Sequence, residues 1–339
     1  MKSAAFWKWV GYATAILSLI AGIRGLVSFI SDRAESSRQV KSLLASESLQ
    51  LQAADYPSAW QSLDQASKIQ SDSADIRDAQ ERLAMQWLEN IRVHDGQKFS
   101  DITGKLNPVL TRGIAASKSP QHQADLEAHL GWSYFLSMRE NGSGSDPAAT
   151  YADAVKKDPN NPYAQAMWGH WILWNHGTID DANTHFNAAL ASNRERPFVR
   201  SLQLSALLNN HDEASQEETI RVANAIRKEQ GSISEDAKSN ILSMYYGTLI
   251  PPSPESAHFI NAVPPAEHLA TFRWLFGNLP AGNSNALQRI GYLSVLEEAA
   301  GQREEAKAGY DSLRKELAGS PGSLLTAAQE GSKRLSAPK

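Results

Sequence analysis

Three stretches of this chain place a small residue, a large one four positions on, and another small or apolar residue three beyond that. They are Ala59/Leu63/Ala66, Ala182/Phe186/Ala189 and Ala306/Tyr310/Leu313. A fourth, Pro147/Tyr151/Ala154, keeps the spacing with proline in the first place. Positions i, i+4 and i+7 share one face of an α-helix. One large knob between small neighbours lets a second helix approach closely on that face. From about residue 40 onward no run alternates apolar and polar residues at period two, so there is no strand signal. The spacing predicts an all-α chain of closely packed helix pairs.

A second element stands upstream of two of these faces. Leu130, Gly131 and Tyr134 precede Tyr151 and Ala154, and Trp168, Gly169 and Ile172 precede Ala182, Phe186 and Ala189. Glycine in mid-helix costs up to ~1 kcal/mol relative to alanine, and close contact between paired helices is what offsets it. Helix starts are marked by Asn161-Pro162 and Ser320-Pro321, each a cap followed by proline at the first helical position, and by Ser232 with Glu235 as a capping box. With these residues in place the chain resembles the tetratricopeptide repeat family, whose unit is a helix hairpin of about 34 residues. The match is best at Leu130, Gly131, Tyr134, Tyr151, Ala154 and Pro159, and good at Trp168, Gly169, Ile172, Ala182, Phe186 and Ala189. It is partial at 43–71, where Glu47 replaces the glycine and Ser71 the proline, and at 287–318, where only the second helix fits. Residues 75–118 and 197–230 read as degenerate hairpins. The resemblance implies an α-solenoid, a right-handed superhelix of hairpins, whose first helices line a concave groove.

Residues 9–30 differ from the rest. Their only charge is Arg24, and Trp7, Trp9 and Tyr12 cluster at one end. This is the length and the aromatic edge of one bilayer-crossing helix, with Arg24 placed to snorkel outward. SFISDRAESS provides no small-x-small cleavage site, so the segment reads as an uncleaved anchor rather than a signal peptide. Lysine and arginine are nearly balanced on its two sides, which leaves the orientation undecided. The domain reading is an anchor at 1–35, repeats over 36–249, a proline-rich linker at 250–268 and a C-terminal helical block with one repeat at 269–336. RENGSGSDPA at 139–148 lengthens one turn. The implied location is a single-pass protein of a bacterial inner membrane, its soluble side unspecified.

Composition narrows the chemistry. Of 339 residues, 42% are hydrophobic and 21% charged, a balance that folds. The net charge of −4 gives no basic face for nucleic acid. Cysteine is absent, which removes disulfides, thiolate catalysis and Cys-bound zinc. No phosphate-binding glycine loop, nucleophile elbow or HExxH helix occurs. Glu217-Glu218 and Glu304-Glu305 fit helix-dipole complements rather than a catalytic pair. Arg194, Arg196 and Arg200 form a basic cluster whose default is a solvated surface. His170 and His176 are six apart, off the four-residue spacing of a helical zinc pair. No metal, cofactor or catalytic residue is expected.

The stretch AMWGHWILWNH, residues 166–176, carries the site. In hairpin register Trp168 and Ile172 face the partner helix as core. The resemblance implies groove positions at Tyr163, His170, Leu173 and Trp174, and at Asp125, Trp132, Phe135 and Leu136 one repeat earlier. So aromatic a strip suits a protein or peptide partner. Trp174 stays open between burial and partner contact. The functional expectation is a non-catalytic, membrane-anchored scaffold that binds a protein or peptide and, through the anchor, the lipid bilayer. Two alternatives remain: an α-superhelical cell-envelope enzyme acting on cell-wall glycan, with Glu127 as its acid, or a self-assembling membrane scaffold. Oligomeric state is not legible.

Overall fold

The structure, a computed structural model, describes residues 33–91, 98–248, 254–277 and 286–337. The expected membrane span at 9–30 lies outside the described residues. Among the described residues every regular element is an α-helix, and no helix is long and apolar enough to cross a membrane. Compactness divides the chain at Ser145/Asp146, inside the lengthened turn at 139–148.

The first unit holds α1 (33–52), α2 (Tyr56–Ile69), α3 (Ala74–Glu89), α4 (Phe99–Ala116) and α5 (Pro120–Asn141). The triplet Ala59/Leu63/Ala66 is fully buried on α2. Ala59 and Leu63 pack with Ala79 and Leu83 of α3 and against Leu44 and Leu51 of α1. Glu47, at the position where the repeat pattern has glycine, is 1% exposed and meets Arg82 at 3.4 Å. Its burial is offset by that partner. Polar bonds tie α3 to α5. His122 Nε2 meets Glu81 at 2.8 Å, and buried His129 meets Glu89 at 2.9 Å and the Asp125 carbonyl at 2.6 Å. Glu140, at the end of α5, accepts the first backbone N–H groups of α4, from Phe99 (2.8 Å) and Ser100 (3.0 Å). These bonds, Ser100's first, hold its carboxyl below the usual range.

The second unit holds α6 (Pro147–Lys157), α7 (Pro162–Trp174), α8 (Ile179–Ala191), α9 (Arg196–Leu208), α10 (Glu213–Lys228), α11 (Glu235–Thr248), α12 (Pro254–Ile260), α13 (Pro265–Phe276), α14 (Ala286–Ala299), α15 (Arg303–Glu316) and α16 (Ser323–Ser336). Hairpin packing is explicit here: α7 packs on α8, α9 on α10, α14 on α15, and α7 also on α9. Phe186, Ala182 and Ala189 are fully buried on α8, facing α7. A Cβ at Gly169 would lie 3.0 Å from the Ala182 carbonyl and 3.1 Å from the Phe186 ring. The mid-helix glycine therefore serves close approach, as its spacing implied. The same logic recurs at Gly331, where a Cβ would press into the Tyr310 ring.

Asn161 caps α7, accepting from Ala164 N–H at 2.9 Å, with Pro162 at the first helical position. Two expected starts are displaced. The cap of α11 is Ser234, which accepts from Ala237 N–H at 3.3 Å, not Ser232. Helix α16 begins at Ser323 after Gly322, so Ser320-Pro321 belongs to the turn before it. Within the proline-rich stretch 250–268, α12 and α13 begin at Pro254 and Pro265. Proline is tolerated in a first turn because that N–H has no intrahelical partner. Phe259, Val263, Leu269, Phe272, Tyr292 and Leu296 share one buried cluster with Phe186 and Val199, so α12 and α13 belong to the same core as α8 and α9.

Candidate functional site

The site forms where α7 and α9 end. Helix α7 closes through His176, which takes the left-handed conformation (φ 61°). The Gly177 N–H then donates to the Ile172 carbonyl at 2.8 Å. This is the bond of a Schellman closure, and it stops the helix just past Trp174. Helix α9 stops at Asn209 and Asn210, whose side-chain Nδ2 groups donate back to the Ser205 (2.9 Å) and Ala206 (3.0 Å) carbonyls. Each amide retains its Oδ1 acceptor for another partner.

Between these ends lies a hollow of about 260 Å³ lined by His170, Leu173, Trp174, His176, Ala206, Asn209 and Asn210. A second, of about 510 Å³, shares Asn209 and Asn210 and runs on to His211, Gln216, Asn240, Ser243 and Met244. Together they make a trough across α7, α9 and α11. Its floor is apolar at Leu173 and Ala206, its rim is amide and imidazole, and Trp174 stands 39% exposed in it. An apolar concavity with a few oriented polar groups is the usual form of a binding site.

Of the eight residues expected to line a groove, the structure brings His170, Leu173 and Trp174 together in the first hollow. His170 and Leu173 are each 5% exposed and form its floor rather than its rim. Tyr163 sits against Phe198, ring centroids 5.2 Å apart, in the contact of α7 with α9. In the first unit the expected strip is mostly interior. Phe135 and Leu136 are buried, Trp132 donates its indole N–H to the Leu88 carbonyl at 3.1 Å, and Asp125 is half-buried. Phe135 and Leu136 thus lie in the interior of a unit in which α5 packs against α3 and α4, while Trp132 keeps part of its surface open. Trp168, assigned to the core, is half-buried on the α8 side, its ring tilted 31° to that of His185 with centroids 4.5 Å apart. Burial pushes the His185 pKa down, while Asp181 pulls the other way.

Sequence reasoning missed Asn209, Asn210 and His211. A signal existed: Asn175-His176 and Asn210-His211 are the same dipeptide one repeat period apart, each just past the end of a first helix.

The remaining candidates are absorbed by structure. Arg196 and Arg200 bond Glu229 at 2.6 and 2.8 Å, and Arg194 meets Asp158 at 3.8 Å. The Arg200 bond is the main cause of the lowered Glu229 pKa. Glu304 and Glu305 stand in the first turn of α15, where the helix dipole favours them. Glu217 and Glu218 are not in a first turn; they pair with Arg221 at 2.6 and 3.1 Å. Glu127 is buried on α5.

No protein-family profile matches the sequence, and no curated protein matches it. Among solved structures, a tetratricopeptide repeat protein from Parabacteroides merdae is similar over 88% of this chain and 99% of its own, with 11% identity and a TM-score of 0.40.

Proposed function

We infer that this chain is a non-catalytic helical-repeat scaffold, held at a membrane by residues 9–30, that binds an extended segment of another protein. Within each unit the hairpins stack in the manner of tetratricopeptide repeats, and the trough over α7, α9 and α11 receives the partner. One observation carries the reading: a tryptophan 39% exposed beside a concave apolar floor. Tryptophan is among the residues enriched at the hot spots of protein interfaces. The Oδ1 atoms of Asn209 and Asn210 suit the N–H groups of an extended backbone, which a fixed charge would suit less. No covalent step is part of this function. Tethering confines the scaffold and its partner to one surface and raises their effective concentration.

Substituting Trp174→Ala with Asn209→Ala is expected to weaken partner capture by about 30-fold, the loss of one anchor worth about 2 kcal/mol. Both residues are exposed, so the fold stays intact. Crosslinking in native membranes followed by quantitative mass spectrometry reads this directly. An unchanged captured set would remove the trough from consideration. The tether has its own check. Deleting residues 1–31 is expected to move the protein from the membrane pellet to the supernatant after a carbonate wash, and a truncated chain that stays in the pellet would refute it.

A further inference from the structure

Away from the trough, α10 and α12 bring together three donor side chains that the binding function does not use. Glu213 and Glu217 are four residues apart on α10 and share a face. His258 reaches them from α12. One ligand atom from each lies within 4.8 Å of the other two. The triple opens on a hollow of about 640 Å³ that also carries Asp180, Asp212, Glu218 and Arg221.

We propose that Glu213, Glu217 and His258 form a site for a divalent transition-metal ion of the zinc class, which clips α12 onto α10. The partner inventory supports this. Asp212 is spent on the helix cap, accepting from the Ser215 N–H at 2.9 Å and hydroxyl at 2.7 Å. Glu218 accepts from Asn183 (3.1 Å) and Arg221 (3.1 Å). Arg221 is consumed as well: it takes Glu217 Oε2 at 2.6 Å and donates to the Ala262 carbonyl at 3.1 Å. Among the described residues that leaves the carboxylate of Glu213, the second oxygen of Glu217 and the imidazole of His258 without bonds.

Five carboxylates face a single guanidinium in this hollow. The α10 N-terminus opposes a cation with only about +0.5 of a charge, so the carboxylates dominate. The histidine is what separates this cluster from a bare acidic surface. Imidazole nitrogen selects zinc, cobalt or nickel over magnesium and calcium, which take oxygen. Tetrahedral bonds of about 2.0–2.2 Å place ligand atoms about 3.4 Å apart, so the triple must contract by roughly 1.4 Å. Two glutamates with three side-chain torsions each provide that movement. A fourth position remains for water, as in zinc sites with three protein ligands.

The test is calorimetric titration of Zn²⁺ into the full-length chain purified in detergent, alongside His258→Ala and Glu213→Gln. Glu213 and His258 are exposed, so metal-free melting curves of the three proteins should coincide. The expected result is one saturable Zn²⁺ equivalent in the wild type, weakened at least about tenfold by either substitution. It should resist competition by equimolar Mg²⁺ or Ca²⁺. Absence of saturable binding, affinity equal in all three proteins, or displacement by Mg²⁺ or Ca²⁺ would each overturn the proposal.

Discussion

Truncating Phe186 to alanine is expected to destabilise the second unit by about 3–5 kcal/mol, the range for a large aromatic removed from a packed core. The ring is fully buried and meets α7 where Gly169 leaves room for it. Its own helix flanks it with Ala182 and Ala189, both fully buried. Collapse would have to bring α7 and α8 closer still, and the Gly169 backbone is already at contact distance. The cost therefore belongs near the upper end, where transfer and cavity terms add. Urea unfolding followed by tryptophan fluorescence reads it well, because Trp168 and Trp171 lie on the same hairpin. Trp174→Ala, by contrast, removes a side chain 39% exposed and should cost far less. If Phe186→Ala shifted the unfolding free energy by under about 1 kcal/mol, the small–large–small face would not be the packing determinant claimed for it.

That face was legible in the sequence because its meaning is local. Small and large residues at i, i+4 and i+7 specify how near a neighbour comes, whichever neighbour it is. Gly169 and the Asn161-Pro162 start were legible for the same reason. The groove was less so. Helix α7 is apolar nearly all the way round and α5 mixes polar and apolar residues with no dominant face, so periodicity cannot say which side of either meets solvent. For α5 the deciding facts were tertiary: α5 packs against α3 and α4, Phe135 and Leu136 are buried, and the Leu88 carbonyl claims the Trp132 indole. At the end of α7 Trp174 keeps 39% of its surface open to water. Asn209 and Asn210 became site residues only because α7 and α11 flank them. Glu213 and Glu217 could be paired from the sequence, but His258 stands 41 residues beyond Glu217, and no spacing rule joins them. The choice between Ser232 and Ser234 as the α11 cap turned on two residues of extended chain, which apolar periodicity does not resolve.

The second unit is also expected to weaken as the solution is acidified from pH 6.5 to pH 4, by about 3 kcal/mol from one side chain. His268 is fully buried on α13. Its Nδ1–H donates to the Ile260 carbonyl at 2.9 Å, which leaves Nε2 to accept from the Tyr245 hydroxyl at 2.8 Å. The neutral ring is thus satisfied at both nitrogens. Protonating Nε2 would turn the hydroxyl into an acceptor, and its hydrogen would then face the rings of Phe259, Phe272 and Phe276 that surround Tyr245. Desolvation accordingly pushes the His268 pKa down to about 4, against a smaller upward pull from the Ile260 carbonyl. In the unfolded chain the same ring takes its proton near its ordinary value of 6.5. Between the two values the unfolded state binds more protons, so stability falls as pH falls. The contribution is complete above 6.5 and gone below 4. His185, also held down by burial, acts in the same direction. Carboxylates held low by their partners, such as Glu229 and Asp311, begin to add their losses as the pH falls through their ordinary values of 4.5 and 3.8. His268→Gln separates the cause from the background, since a glutamine can donate to Ile260 and accept from Tyr245 without titrating. Urea midpoints at pH 7 and pH 4.5 should diverge strongly in the wild type and much less in the variant. Equal slopes in the two proteins would place the acid sensitivity elsewhere than in the Tyr245–His268 pair.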